Sequence, residues 1–395
     1  MKIAKDQSSA AEWNEARART ALIAALLHDL GHGPFSHAFE VAEKTRLKSQ
    51  PGAYKKHESW TADIITNRDG GVRKVLKEVF GGDGGIAEDV KKLLLSDPTN
   101  IYDAVVSSSF DADRLDYLQR DRMMTGSGAG AIDFPWLLDN LRVVQISPVV
   151  DEGENEVESD SATEDLIQTF AFEEKALQSV EAFILARYHL YSQVYFHRAT
   201  RSMEQMLSAF LLKFASESEK GNGAKLSVQF EHPLRQYYAS KTPSLNNYLA
   251  LDDAVVWGAI ESTAVGQDGV LKELAVRIRD RKIMKSISID QVNPTETDVK
   301  RREFITESLK DKIGITIFED RAPLSIYKDS RREAVEPHKR VYIKRNHDKP
   351  RDVAALSKPV AALVDGEEIL RFYFVNESDR NSVLAIKGGK HDKSE

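Results

Sequence analysis

The sequence contains no cysteine. Disulfides and thiolate metal sites are therefore excluded, and any metal must be held by histidine and carboxylate ligands. No apolar run approaches the ~18 residues needed to cross a bilayer. No basic-then-apolar leader pattern opens the chain. These absences set the expectation of a cytoplasmic protein without a membrane partner. A basic surplus is also missing: 55 Lys and Arg against 62 Asp and Glu leave a net charge of −7. Coating nucleic acid takes a basic surface, so this balance counts against nucleic acid as a partner without closing the question. The local basic runs at 279–285 and 339–345 read as solvated helix faces or strand edges. Internal repeats are absent as well.

What remains is an ordinary globular composition, with 41% hydrophobic and 30% charged residues over 395 positions. Leu22, Ile23, Leu26, Leu27 and Leu30 predict a helix within 10–48, broken by Gly31, Gly33 and Pro34 and resuming at Phe35. Helices are also expected over 57–68, 71–80, 86–96 and 101–124, the last interrupted near Asp111. The pattern turns β-like over 141–150, and an acidic, apolar-poor loop follows over 151–165. One long helix is expected over 172–214, then shorter ones over 243–262 and 266–285. After Gly314, runs at 315–318, 324–327, 341–344 and 369–375 read as strands between turn signals, and 387–395 as a frayed end. The expected fold is mainly α. A helical domain over 1–290 would carry a β-hairpin and acidic loop near 141–170, with a small α+β C-terminal region over 291–395.

The chemistry concentrates in two stretches. In Leu27-His28-Asp29-Leu30-Gly31-His32-Gly33-Pro34-Phe35-Ser36-His37, three histidines and an aspartate stand at an apolar helix end. His28 and Asp29 at such an end can reach one ion, and His28 and His32 are one turn apart. Imidazole with carboxylate suits a first-row divalent metal better than calcium, which takes oxygen ligands. A lone histidine here would read as a hydrogen-bonded core residue. Four ionisable groups read as a site, because burying them without partners is costly. The second stretch runs from Ser109 to Asp121. Asp113, Asp116 or Tyr117, and Asp121 recur at helical spacing, while Arg114 and Arg120 either hold phosphate or pair with these carboxylates. Further on, Arg187, Tyr191, Tyr195 and Arg198 form a polar-aromatic stripe, or simply the side of an amphipathic helix.

The His28-Asp29 motif followed by Phe110-Asp111-Ala112-Asp113-Arg114-Leu115-Asp116-Tyr117 resembles the HD-domain phosphohydrolase superfamily. Within it, the chain is similar to the deoxynucleoside triphosphate triphosphohydrolases, including the branch that carries a sterile-alpha-motif domain in animals. The likeness runs from about residue 18 to 215 and more faintly to 290. It implies a divalent metal (Mn, Mg, Fe, Co or Ni) on His28, Asp29 and Asp113. The family's first metal histidine precedes the doublet, and this sequence has no histidine before His28. The expectation is either a shortened amino terminus or three protein ligands plus water.

The same resemblance implies catalytic or phosphate-contacting roles for His32, His37, Glu40 and His57. His57 would be the general acid, tuned by Glu40 or Glu58. Arg114 and Arg187 would hold the triphosphate tail, Tyr117 and Asp121 the sugar and its 3′-hydroxyl, and Tyr195 would lie under the sugar. Phe196 stands where relatives often carry glutamine, which leaves sugar discrimination open. The implied reaction converts a dNTP to deoxynucleoside and inorganic triphosphate. The alternatives are a phosphohydrolase of nucleoside monophosphates or other phosphate esters, and a non-catalytic nucleotide-binding regulatory protein. A homo-oligomer (dimer or tetramer) and a nucleotide activator are also implied, with 279–285 as the region for such a site.

Overall fold

The computed structural model describes residues 1–7, 13–82, 85–128, 132–146, 166–267, 269–327, 337–345, 348–364 and 366–387. The acidic stretch 151–165 and nearly all of the tail at 387–395 lie outside these residues. The fold is mainly helical with two small sheets, as the composition and periodicity predict. Among the described residues no helix is long and apolar enough to cross a membrane.

Two compact units are formed, each from separate stretches of chain. The first comprises 1–29, 65–194 and 324–366; the second comprises 30–64, 195–323 and 367–395.

In the first unit the helices Glu15–Leu27, Gly71–Phe80 and Gly85–Leu95 bury Ala24, Leu76, Ala87 and Val90 together with Ile65. Small residues such as Ala24 and Ala87, both fully buried, let the helices approach closely. The predicted hairpin forms, with Leu141–Ile146 pairing antiparallel to Ile167–Glu173 in the register Val143↔Phe170. Tyr342–Lys344 adds parallel to the second strand, and Arg351–Asp352 closes the four-stranded sheet.

The second unit is centred on the helix Arg198–Glu219, whose Met206, Phe210, Leu211 and Phe214 are fully buried. They pack with Ala38, Phe39 and Ala42 of the helix His37–Arg46, and with residues of Asp253–Ala264 and Val270–Arg279. A three-stranded sheet orders Lys285–Ile289, Glu367–Phe374 and Ile317–Leu324. Its Ile287, Ile289, Leu370, Phe372 and Phe374 form a second apolar cluster with Ile305 and Val383.

Several expectations are corrected. The long helix over 172–214 is not continuous. Phe172 belongs to a strand, where the aromatic and β-branched residues of 167–172 pair across the sheet. Helix runs over Leu177–Leu190, widens into a π-turn at Tyr191–Tyr195, and restarts at Arg198 with the His197 ring accepting from the Ala199 N–H. The helix over 266–285 ends at Arg279; Arg281 takes a left-handed φ of 53°, and Lys285 opens a strand whose alternation buries Ile287 and Ile289. The helix over 243–262 is two helices, Leu245–Leu249 and Asp253–Ala264, because Asp252 caps the second by accepting from the Val255 N–H. Helix does not resume at Phe35 but at His37, since Phe35 and Ser36 both hold positive φ. Of the strand read at 324–327 only Leu324 is in one, as the last residue of Ile317–Leu324; Ser325, Ile326 and Tyr327 are not strand.

Candidate functional site

In the first unit, His28 closes the helix Glu15–Leu27 while still in right-handed helical conformation. Its Nδ1–H donates to the Ala25 carbonyl at 2.9 Å. That bond satisfies one of the carbonyls a helix end leaves over, and it turns Nε2 toward Asp29 and Asp113, where it could serve as a metal ligand. Nε2 lies 3.1 Å from Asp29 Oδ1 and 3.6 Å from Asp113 Oδ1. Asp113 arrives from the first turn of the helix Ala112–Thr125, capped by the buried Asp111, which accepts from the Arg114 N–H at 2.9 Å. Asp113 first, and then Asp29, pushes the His28 pKa up to about 10 against the opposing effect of burial. Two carboxylates thus call for positive charge at this nitrogen, from a proton or a metal. One imidazole and two carboxylates with ligand atoms within 4.8 Å of one another fit a first-row divalent cation.

Along Ala112–Thr125, Asp113, Tyr117 and Asp121 share a face at four-residue spacing, whereas Asp116 is exposed and takes Arg120 Nη2 at 2.6 Å. Tyr117 lies beside Arg187, and burial pushes its phenol up to about 12 although the guanidinium pulls the other way. Arg187 is itself buried on Leu177–Leu190, with its Nε lacking a hydrogen-bond partner among the described residues. Arg114 Nη1 donates to the Asp111 carboxylate and, at 2.7 Å, to the Ser108 carbonyl. Arg114 and Arg120 are thus both paired with carboxylates, and a phosphate on Arg114 would share it with Asp111.

The second unit holds His32, His37 and His57. Glu40, in the first turn of His37–Arg46, gathers three imidazoles. His57 Nδ1 is 2.6 Å from Oε1, His32 Nδ1 is 3.1 Å from the same oxygen, and His37 Nδ1 is 3.6 Å from Oε2. His32 and His57 stack with centroids 4.0 Å apart, and His37 meets His32 edge-on at 5.5 Å. Burial alone would push the Glu40 carboxyl up, but the three imidazoles outweigh it and hold the group well below the usual carboxylate range. Glu40 in turn pushes His37 up. Of the two carboxylates considered for His57, Glu40 is the nearer, with Glu58 at 3.6 Å. Because Nδ1 faces Glu40, Nε2 of His57 is the nitrogen left to exchange a proton.

The backbone around this cluster is tightly set. The Gly31 N–H donates to Thr61 Oγ1 at 2.8 Å, and Tyr248 Oη–H donates to the Gly31 carbonyl at 2.7 Å. A Cβ at Gly31 would stand 2.1 Å from the His57 carbonyl, so only glycine fits. The Phe35 N–H is held by Asp253 Oδ1 at 2.7 Å, which supports the left-handed pair Phe35-Ser36. Glu40 and His57 also line a cavity of about 320 Å³ with Tyr54, Lys55, Trp60 and Tyr248. Sequence reasoning missed Thr61, Tyr248 and Asp253. Thr61 lies one turn beyond His57 and was open to a spacing argument; the other two are distant in sequence and carry no local signal.

Tyr195 ends the π-turn, so Arg187, Tyr191, Tyr195 and Arg198 do not lie on one uninterrupted α-helix.

Residues 1–118 match the HD domain family, and residues 164–227 match the HD associated region. The chain is 31% identical over 288 residues to the uncharacterized protein YwfO of Bacillus subtilis, covering 72% of this chain and 56% of that one. It is 28% identical over 246 residues to the deoxynucleoside triphosphate triphosphohydrolase SAMHD1 homolog of Dictyostelium discoideum, covering 56% of this chain and 40% of that one. The chain thus spans about half the length of these curated relatives. A solved phosphohydrolase from Bacteroides thetaiotaomicron shares the fold with a TM-score of 0.66 at 21% identity, covering 95% of this chain and 83% of that one. The His-Asp doublet and the distant aspartate that meets it all fall within residues 1–118, the part of the chain that matches the HD domain family.

Proposed function

We propose that this chain is a metal-dependent phosphohydrolase acting on nucleotides, and that its reaction is cleavage of a dNTP at the α-phosphorus to deoxynucleoside and inorganic triphosphate. The observation that carries the first part is the His28 Nε2, Asp29 and Asp113 donor set, with the His28 ring oriented by a backbone carbonyl. The finer part is supported by the resemblance of both motifs to the triphosphohydrolases and by the name of the Dictyostelium relative.

A divalent cation held by these three residues would polarise the phosphoryl oxygen and lower the pKa of the attacking water. His57, its Nδ1 toward the Glu40 carboxylate, delivers a proton from Nε2 to the leaving 5′-oxygen. His37, pushed up by Glu40, carries positive charge toward the α-phosphate. His32 packs the His57 ring in place. Arg187 offers a buried guanidinium to the triphosphate tail, and Arg114 a second one, where the planar fork matches phosphate oxygens. Tyr117, Asp121 and Tyr195 contact the sugar. Native metal, nucleotide activator and homo-oligomeric state belong to the same reading and rest on the resemblance alone.

The test is a turnover assay with dNTPs and NTPs under Mn²⁺, Mg²⁺, Co²⁺, Fe²⁺ or Ni²⁺, with products resolved by ion exchange. Nucleoside plus triphosphate is the expected outcome, and Asp113→Ala should lose both rate and bound metal. Monophosphate or free phosphate as the product would move the chain to another phosphohydrolase class. Bound nucleotide without turnover under any of the metals would favour the regulatory alternative.

A further inference from the structure

Asp113 meets His28 just after a loop that is hydrogen-bonded from elsewhere in the first unit. The segment 105–111 is a loop between Ile101–Ala104 and Ala112–Thr125, and its own bonds run forward into the metal-ligand helix. The Ser108 N–H donates to Asp111 Oδ2 at 3.3 Å, the Ser108 carbonyl accepts from Arg114 Nη1 at 2.7 Å, and the Ala112 N–H donates to the Val105 carbonyl at 2.9 Å. Ser108, Ser109 and Asp111 are all buried.

A second set of bonds grips this loop from more than two hundred residues away. The short turn Pro337–Lys339 presents two carbonyls to Ser109: that of His338 accepts the Ser109 N–H at 2.9 Å, and that of Lys339 accepts the Ser109 hydroxyl. Lys339 Nζ then donates to Ser107 Oγ at 3.0 Å. The turn is itself pinned to the sheet, because His338, 1% exposed, shares a 3.0 Å hydrogen bond through Nδ1 with Thr169 Oγ1 of the strand Ile167–Glu173. The neighbouring Val341 N–H is fixed by Tyr327 Oη at 2.9 Å.

We propose that the turn Pro337–Lys339 is the positioning element of the metal centre, with Lys339 and Ser109 as its positioning residues. They hold the loop 107–109 so that the Asp111-capped helix delivers Asp113 to His28 and Asp29. The inference rests on the proposed metal site and goes beyond it by giving this part of the C-terminal region a task. Neither residue touches the reacting atoms; both act through Asp113. Loss of support behind a metal ligand typically lowers affinity on the order of tenfold or more.

The experiment is calorimetric titration of Mn²⁺ into the full chain, with thermal melting recorded on the same samples. Wild type and Asp113→Asn come first. If the two give the same isotherm, the metal reading fails and this inference fails with it. If wild type binds and Asp113→Asn does not, Ser109→Ala and Lys339→Met should each weaken Mn²⁺ binding on the order of tenfold, and Lys339→Arg should restore part of it. The affinity loss should persist in the variant whose melting temperature stays near that of wild type, because a merely structural role would move the melt and not the isotherm. Wild-type Mn²⁺ affinity in both Ser109→Ala and Lys339→Met, with Asp113→Asn still defective, would overturn the proposal.

Discussion

At the scale of single residues, Glu40 decides the character of the histidine cluster. Three imidazole nitrogens approach its two oxygens within 3.6 Å, and this holds the carboxyl well below its ordinary value despite burial. A carboxyl depressed in the folded state stabilises the fold above its unfolded pKa, and that contribution disappears as pH falls through the folded value. For Glu40 the stabilisation is therefore complete above the ordinary value of 4.5 and fades below it. Thermal melts of wild type and Glu40→Gln should differ most near neutral pH and converge as pH falls below about 4. A gap that widened in acid would contradict the assigned ion pairs. The variant should also lose activity, because His57 then lacks the carboxylate that orients its Nδ1.

At the scale of elements, the close approach of the Gly31 loop to the helix His57–Thr66 sets where the histidines stand. A methyl group at Gly31 would fall 2.3 Å from the Thr61 backbone nitrogen and 2.7 Å from its hydroxyl, as well as on the His57 carbonyl. Backbone cannot yield as a flexible side chain does, so Gly31→Ala should cost at least about 1–3 kcal/mol, the usual range for overpacking. Denaturant unfolding of Gly31→Ala checks this, and an unchanged midpoint would mean that the two backbones are not so close. The helix ends nearby were partly readable in advance. Gly31, Gly33 and Pro34 announced the break. The shift of the next helix start from Phe35 to His37 was not announced, because it depends on the Phe35 N–H finding Asp253 far along the chain.

At the scale of the whole molecule, the second unit contains a buried ion pair that joins its helical core to its sheet. Asp320, 1% exposed on Ile317–Leu324, receives Arg201 Nε at 3.1 Å and Gln205 Nε2 at 3.2 Å from Arg198–Glu219. Removing Asp320 leaves Arg201 with Glu204 as its carboxylate partner, so Asp320→Ala should destabilise by about 3 kcal/mol, the lower end for breaking a buried pair. Urea unfolding measures it, and a loss below about 1 kcal/mol would show that Arg201 finds water or another partner.

The sequence by itself determined the helical texture, the hairpin near 141–170 and the two chemical motifs. These are carried by local spacing: apolar residues a turn apart, turn formers between them, and ionisable groups crowded at one helix end. The structure alone decided which of those groups meet. It brought Asp113 to His28 and Asp29, chose Glu40 over Glu58 as the nearer partner of His57, paired Arg114 with Asp111, and opened a π-turn between Arg187 and Tyr195. It also tied His338 and Lys339 to the loop before Asp113, a link with no trace in the spacing of either segment. The physical reason is range. Periodicity reports contacts within a few turns of chain, whereas contacts between distant segments depend on how helices and sheets bury their apolar faces.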